Sequence, residues 1–187
     1  MVKLIVAISG KRKSGKDFVA KRLAEKLRQV ATVHLAGVSH SLKQEYAQIH
    51  DLNYDELLTD GPEKEQHRRD MIEWGEQKRK QDAGYFCRKA VSADPNCDIC
   101  IITDCRRTTD MEFFKNYCKT LAVRIDADLE VRKSRGYIFF YGIDDAESEC
   151  GLDDYKHDFV LQNNGDDAFL EKQMGEIFDI CKTLLSN

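Results

Sequence analysis

The chain has 187 residues, about one domain's worth and long enough to bury a substantial core. Hydrophobic residues make up 42% and charged residues 33%, with 11 Gly and 2 Pro, which excludes collagen-like, low-complexity and largely disordered chains. The 29 Lys and Arg against 33 Asp and Glu leave a net charge of −4, so overall basicity gives no support to nucleic-acid binding and any anion site must be local.

In chain order, Leu4 to Ile8 is a continuous apolar run of the kind expected for a strand buried on both faces, broken by Ser9-Gly10. A glycine-bounded loop follows. From Phe18 to Val30 the apolar positions Val19, Leu23, Leu27 and Val30 recur at helical spacing. Thr32 to Val38 reads as a second strand, and Leu42, Tyr46 and Ile49 mark a helix from Ser41 to His50. Pro62 to Val91 is long, charged and helical, with a break at Asp82-Ala83-Gly84. Asp98 to Asp104 returns to a buried strand ending in an acid, followed by a helix from Asp110 to Tyr117, a strand from Leu121 to Ile125 and a helix from Leu129 to Arg135. Gly136 to Lys156 is acidic and glycine-punctuated, the pattern of an irregular, mobile loop. Phe159 to Leu161 is a last strand, and Leu170, Met174, Ile177, Cys181, Leu184 and Leu185 line one face of a closing helix. This alternation predicts one α/β domain over residues 1–187, a mainly parallel five-stranded sheet with helices on both faces.

Residues 1–28 carry nine cations against two acids, and residues 144–158 carry seven acids against Lys156. Two solvated faces would explain both runs, but the first falls inside a specific glycine spacing. The 7 Cys are expected to be reduced thiols, with Cys97-x-x-Cys100 packed in the core, since no second ligand pair accompanies it. The opening apolar run is too short for a secretory leader, no stretch matches the roughly 20 residues of a membrane span, and Leu185-Ser186-Asn187 is not a peroxisomal signal. A cytosolic chain with no membrane partner is expected.

Gly10-Lys11-Arg12-Lys13-Ser14-Gly15-Lys16-Asp17 matches the phosphate-loop spacing G-x-x-x-x-G-K-[ST] except at its last position. It lies between a predicted strand and a predicted helix, as the mechanism requires: glycines let the backbone N–H groups turn inward, and the helix start adds its positive end. Lys16 would reach the β- and γ-phosphates. Asp17 stands where a hydroxyl usually holds Mg²⁺; a carboxylate is also a hard oxygen ligand, and equally an acid favoured at a helix N-terminus.

Asp104-Cys105-Arg106-Arg107 sits at the C-terminal end of a predicted central strand, the sheet edge where ligands bind. The arginine forks suit phosphate oxygens, and Asp104 could hold a Mg²⁺ water or orient an arginine; a helix-initiating turn with solvent-facing arginines is the alternative. Arg132 and Arg135 share a helix face next to the acidic segment, where a closing lid could carry charge onto a transferring phosphoryl group. Arg68, Arg69, Arg79 and Arg88 are further cations for an acceptor. No general base can be assigned, and none is required if the acceptor is a phosphate, already largely ionised above its second pKa of about 6.

SGKRKSGKDF (9–18), DMIEWGEQK (70–78), FCRK (86–89), DCRR (104–107) and DDAESECGLD (144–153) together resemble the animal phosphomevalonate kinase family, in order and over nearly the whole chain. The resemblance implies a nucleoside-monophosphate-kinase-like fold and transfer from ATP, with Mg²⁺, to 5-phosphomevalonate; a monomer is the expectation for a chain of this size. The same resemblance implies that Gly10 to Asp17 is the phosphate loop, Asp17 being a family feature. Arg12, Lys13 and Lys16 would stabilise the transferring phosphoryl group, and Arg106 and Arg107 would serve catalysis and acceptor binding. Arg79 and Arg88 would belong to an acceptor region of about residues 40–92, Arg132 and Arg135 to a lid of about 132–156, and Asn163 to the nucleotide-base contact. A nucleoside monophosphate kinase and a slowly hydrolysing nucleotide switch are the competing readings; the N-K-x-D base motif expected of a switch is absent.

Overall fold

A computed structural model describes residues 1–59 and 61–186; Asn187, the last residue of the C-terminal tripeptide, lies outside them. Five strands, β1 (Leu4–Ser9), β2 (Val33–Ala36), β3 (Ile99–Ile102), β4 (Lys119–Asp126) and β5 (Phe159–Gln162), form one sheet in the order β2-β3-β1-β4-β5. Every pairing is parallel. The expected parallel five-stranded α/β sheet is therefore observed.

β1 is central and buried along its whole length, which is why it reads as an unbroken apolar run. Its alternate residues feed two cores. Leu4, Val6 and Ile8 pack against Val19, Leu23 and Leu27 of α1 (Lys16–Leu27), and Ile5 and Ala7 face the opposite layer. Helices α2 (Val38–His50), α3 (Tyr54–Leu58), α4 (Pro62–Gln81) and α5 (Tyr85–Ser92) follow β2. A smaller core of Tyr46, Leu57 and Met71 joins α2, α3 and α4. After β3 comes α6 (Thr108–Tyr117), after β4 come α7 (Leu129–Ser134) and the single turn α8 (Glu147–Cys150), and α9 (Asp167–Ser186) closes the chain on α1 and the first core.

Several boundaries and faces differ from the sequence reading. Val30 lies beyond the end of α1 and is exposed, as is Ile49; in α2 the buried positions are Val38, Tyr46 and Ala47. The second strand stops at Ala36, because the backbone N–H groups of Val38 and Ser39 turn onto the Asp104 carboxylate and start a helix there. The segment 136–156 is not wholly irregular. It contains α8 and buries Asp144 and Leu152, since its acids pair with cations of the N-terminal loop. Cys97 and Cys100 are buried; burial raises both thiol pKa values, that of Cys100 to about 12, and neither is poised for redox or metal chemistry.

Candidate active site

The loop after β1 carries the first set of cations. Gly15, the N-cap of α1, has φ +86°, and a Cβ there would lie 2.4 Å from Asn163 Nδ2; only glycine fits both restrictions. The loop is held through its carbonyls. Asn163 Nδ2 donates to Ser14 O at 2.8 Å, Arg135 Nη1 to the same oxygen at 3.0 Å, and Arg132 Nε to Arg12 O at 2.8 Å. The first N–H groups of α1 have no intrahelical partner and remain for an anion.

Between this loop and the helices after β2 lies a cleft of about 410 Å³. Lys16, Arg12 and Lys13 line one side, Arg106 and Arg107 another, and Lys43, Lys64, Arg68 and Arg79 come from α2 and α4. Val38, Leu42, Met71 and Ile72 supply an apolar wall. The cleft sits at the C-terminal edge of the sheet between β1 and β3, where Cys105 N bonds Ile8 O at 2.9 Å. Burial, then the nearby Arg106 charge, lowers the Lys16 pKa, while Asp17 and Asp104 oppose the shift. Burial and the Lys64 charge push Lys43 down to about 8.

Asp104 is 6% exposed. One oxygen accepts from Val38 N at 2.6 Å, and the other accepts from Ser39 N at 2.9 Å and from the Ser39 hydroxyl. Burial opposes ionisation, but these hydrogen bonds and the Arg106 charge prevail and hold its pKa below the usual carboxylate value. Asp104 thus caps α2 and aims that helix at the cleft.

The acidic segment faces the same cations. Asp144 accepts from Arg12 Nη1 at 2.8 Å and from Phe140 N at 2.8 Å, Glu149 pairs with Arg106, and Asp153 accepts from Lys11 Nζ at 2.5 Å and Arg124 Nη2 at 3.0 Å. Glu76 of α4 pairs with Arg107. Carboxylates therefore cover Arg12, Arg106 and Arg107 in the cleft and also hold Lys11 and Arg124.

The fold brings Arg12, Lys13, Lys16, Arg68, Arg79, Asp104, Arg106 and Arg107 to one cleft, from segments separated in the chain. It does not bring Arg88, which pairs with Asp82 and stacks on Phe113 at 5.6 Å, outside the cleft lining. Lys11 turns to the acidic segment. Arg132 and Arg135 grip the loop from behind. Asn163, Arg135, Gly15 and Phe18 border a second cavity of about 390 Å³ at the start of α1. Asp17 is exposed in the first turn of α1. Sequence reasoning missed Lys43 and Lys64; the available signal was a lysine following the buried-face residue Leu42 on a helix that starts at the sheet's ligand edge.

A phosphate loop opening onto a cationic cleft at the edge of an all-parallel sheet defines a P-loop kinase. Solved structures agree on the fold. The adenylylsulfate (APS) kinase of Mycobacterium tuberculosis superposes with a TM-score of 0.53 at 16% identity, covering 97% of this chain and 98% of that one. The shikimate kinase of Bacteroides thetaiotaomicron gives 0.50 at 13%, covering 96% and 98%. The phosphomevalonate kinase family profile matches residues 8–120. The phosphomevalonate kinase of Drosophila melanogaster is 40% identical over 168 residues, 86% of this chain and 88% of that protein. The chain belongs to the phosphomevalonate kinase family.

Proposed function

We propose that this kinase moves the γ-phosphoryl group of ATP onto the phosphate of 5-phosphomevalonate, giving ADP and 5-diphosphomevalonate. The observation that carries the reading is the cleft itself, in which the phosphate-loop cations face a second cationic group on α2, α4 and the β3–α6 turn. A donor triphosphate on the loop and a phosphorylated acceptor opposite it would meet there, and neither needs a general base.

In this reading Lys16, Arg12 and Lys13 neutralise the transferring group, Arg106 and Arg107 hold charge on its acceptor side, and Lys43, Lys64, Arg68 and Arg79 bind the acceptor's anionic ends. The apolar wall of Leu42 and Met71 receives its carbon skeleton. Arg132, Arg135 and Asn163 act on the nucleotide chiefly by holding the loop, and the cavity bordered by Asn163 and Phe18 suits the base. Mg²⁺, when bound, would supply charge neutralisation at the donor phosphates. Asp17 and Asp104 suffice as its protein donors, because this ion keeps most of its water and needs only one or two carboxylates. Residues 40–92 form the acceptor region of a single kinase domain. Residues 132–156 form a lid whose acids give up Arg12 and Arg106 to substrate phosphates.

In this reading one chain supplies both the phosphate-loop cations and the acceptor cations, and the catalytic unit is a monomer. Seven unpaired thiols suit the cytosol, and among the described residues no helix is long and apolar enough to cross a membrane.

The test is ADP release from Mg-ATP with 5-phosphomevalonate, mevalonate, AMP or no acceptor, with Lys16→Met as control. Turnover with 5-phosphomevalonate alone, abolished in Lys16→Met, is expected. Turnover with AMP would move the protein to the nucleoside monophosphate kinases, and nucleotide binding without acceptor-stimulated release would make it a switch.

A further inference from the structure

In the wall of the cleft lies an almost wholly buried carboxylate to which the reaction assigns no role. Asp110, the third residue of α6, is 1% exposed. Its Oδ2 accepts from the backbone N–H groups of Arg106 at 3.1 Å and Arg107 at 3.2 Å. Its Oδ1 accepts from Arg79 Nη1 at 3.0 Å and from the Cys87 thiol at 3.4 Å. A charge this buried persists only when paired and hydrogen-bonded, and here both oxygens are committed.

Those commitments reach two separate parts of the cleft. One oxygen sets the β3–α6 turn that presents Arg106 and Arg107, fixing the backbone of two adjacent cations that otherwise repel. The other anchors Arg79, which comes from the far end of α4 and also stacks on Phe86 at 5.4 Å. Glu149 and Glu76, which pair with the Arg106 and Arg107 side chains, line the cleft and stand where an incoming phosphate competes with them. Asp110 also borders the cleft, but its Oδ2 is held by backbone N–H groups rather than by a phosphate-binding side chain, so those bonds persist while the Glu149 and Glu76 pairs exchange.

We propose that Asp110 is the positioning residue of the acceptor half-site, registering Arg79 of α4 against the Arg106–Arg107 turn so that three arginines converge on one phosphorylated acceptor. The proposal rests on the acceptor assignment above. It places Asp110 out of contact with substrate, acting through the arginines. A capping role alone would lower stability and leave the two Michaelis constants unmoved relative to each other; positioning would move the acceptor's constant alone.

The experiment is steady-state kinetics with ATP and 5-phosphomevalonate for the wild type, Asp110→Asn, Arg79→Gln and the double variant, with thermal unfolding in parallel. The wild-type arm tests the acceptor assignment by itself: no turnover with this acceptor defeats that reading, whatever the variants do. With turnover present, Asp110→Asn is expected to raise the acceptor KM by about tenfold or more, the scale of losing a hydrogen bond to a charged group, with the ATP KM within about twofold. In the Arg79→Gln background the same substitution is expected to have a much smaller effect, because part of its action runs through that guanidinium. Equal rises in both KM values, or an undiminished effect in the Arg79→Gln background, would overturn the proposal. Arg79→Gln cuts the same link from its other end and carries the test if Asp110→Asn does not fold: an unchanged acceptor KM there overturns the proposal equally.

Discussion

The side-chain amide of Asn163 donates to the carbonyl oxygen of Ser14 at 2.8 Å across 149 residues of chain. This bond ties the end of β5 to the phosphate loop after β1, and Arg135 completes the tie, bonding both Ser14 O at 3.0 Å and Asn163 O at 2.8 Å. The nucleotide loop is therefore shaped by the last third of the chain.

Asn163→Asp replaces that donor with a carboxylate facing a carbonyl. Since Asn163 is 5% exposed, the repulsion is poorly screened. We expect the ATP KM to rise by about tenfold, with the acceptor KM unchanged, as read by titrating each substrate at saturating levels of the other.

Gly15→Ala meets two obstacles, a left-handed φ and an intended Cβ position 2.4 Å from the Asn163 amide. The strain is about 1–2 kcal/mol from the backbone alone, and relief would break the Asn163 bond. Nucleotide binding, followed by fluorescence or calorimetry, should weaken by at least about tenfold, and Asn163→Ala should partly relieve the defect by clearing the space.

Lys43 sets an alkaline limit. Its ammonium pKa is pushed down from 10.5 to about 8 by burial and by the cations Lys64, Arg106 and Arg68, partly offset by Asp104. Lys43 is therefore charged below about pH 8 and neutral above it. We expect kcat/KM for the acceptor to fall as pH rises through about 8, kcat at saturating acceptor to hold to higher pH because the bound anion favours the charged form, and Lys43→Arg to remove the fall. A decline unchanged in Lys43→Arg would assign it to another group.

The acidic segment should change state when the cations it covers are taken by phosphates. Hydrogen exchange over residues 136–156 is expected to alter with ATP analogue and acceptor together more than with either alone, with Arg12 and Arg106 leaving Asp144 and Glu149. Exchange unaffected by both ligands would remove the lid.

Much of this was legible along the chain. Leu4 to Ile8 announces a buried central strand because an all-parallel sheet is covered on both faces, and Gly10 to Lys16 announces a phosphate loop because its geometry is local. The roles of Asp104 and Arg88 were not. That Asp104 caps α2 depends on Val38 and Ser39, 66 and 65 residues away, which donate to it; Arg88 reads as an acceptor cation, but it pairs with Asp82 outside the cleft lining.

The sequence by itself determined the strand-and-helix alternation and the phosphate loop, since periodicity and short spacings are properties of neighbouring residues, and its resemblance to a known family pointed to the kinase. The tertiary structure decided which cations share a cleft, which carboxylates cover them, and that Asp110 links α4 to the β3–α6 turn. Those facts depend on contacts between residues up to 149 positions apart, whose distances are set only when the sheet and its two cores pack.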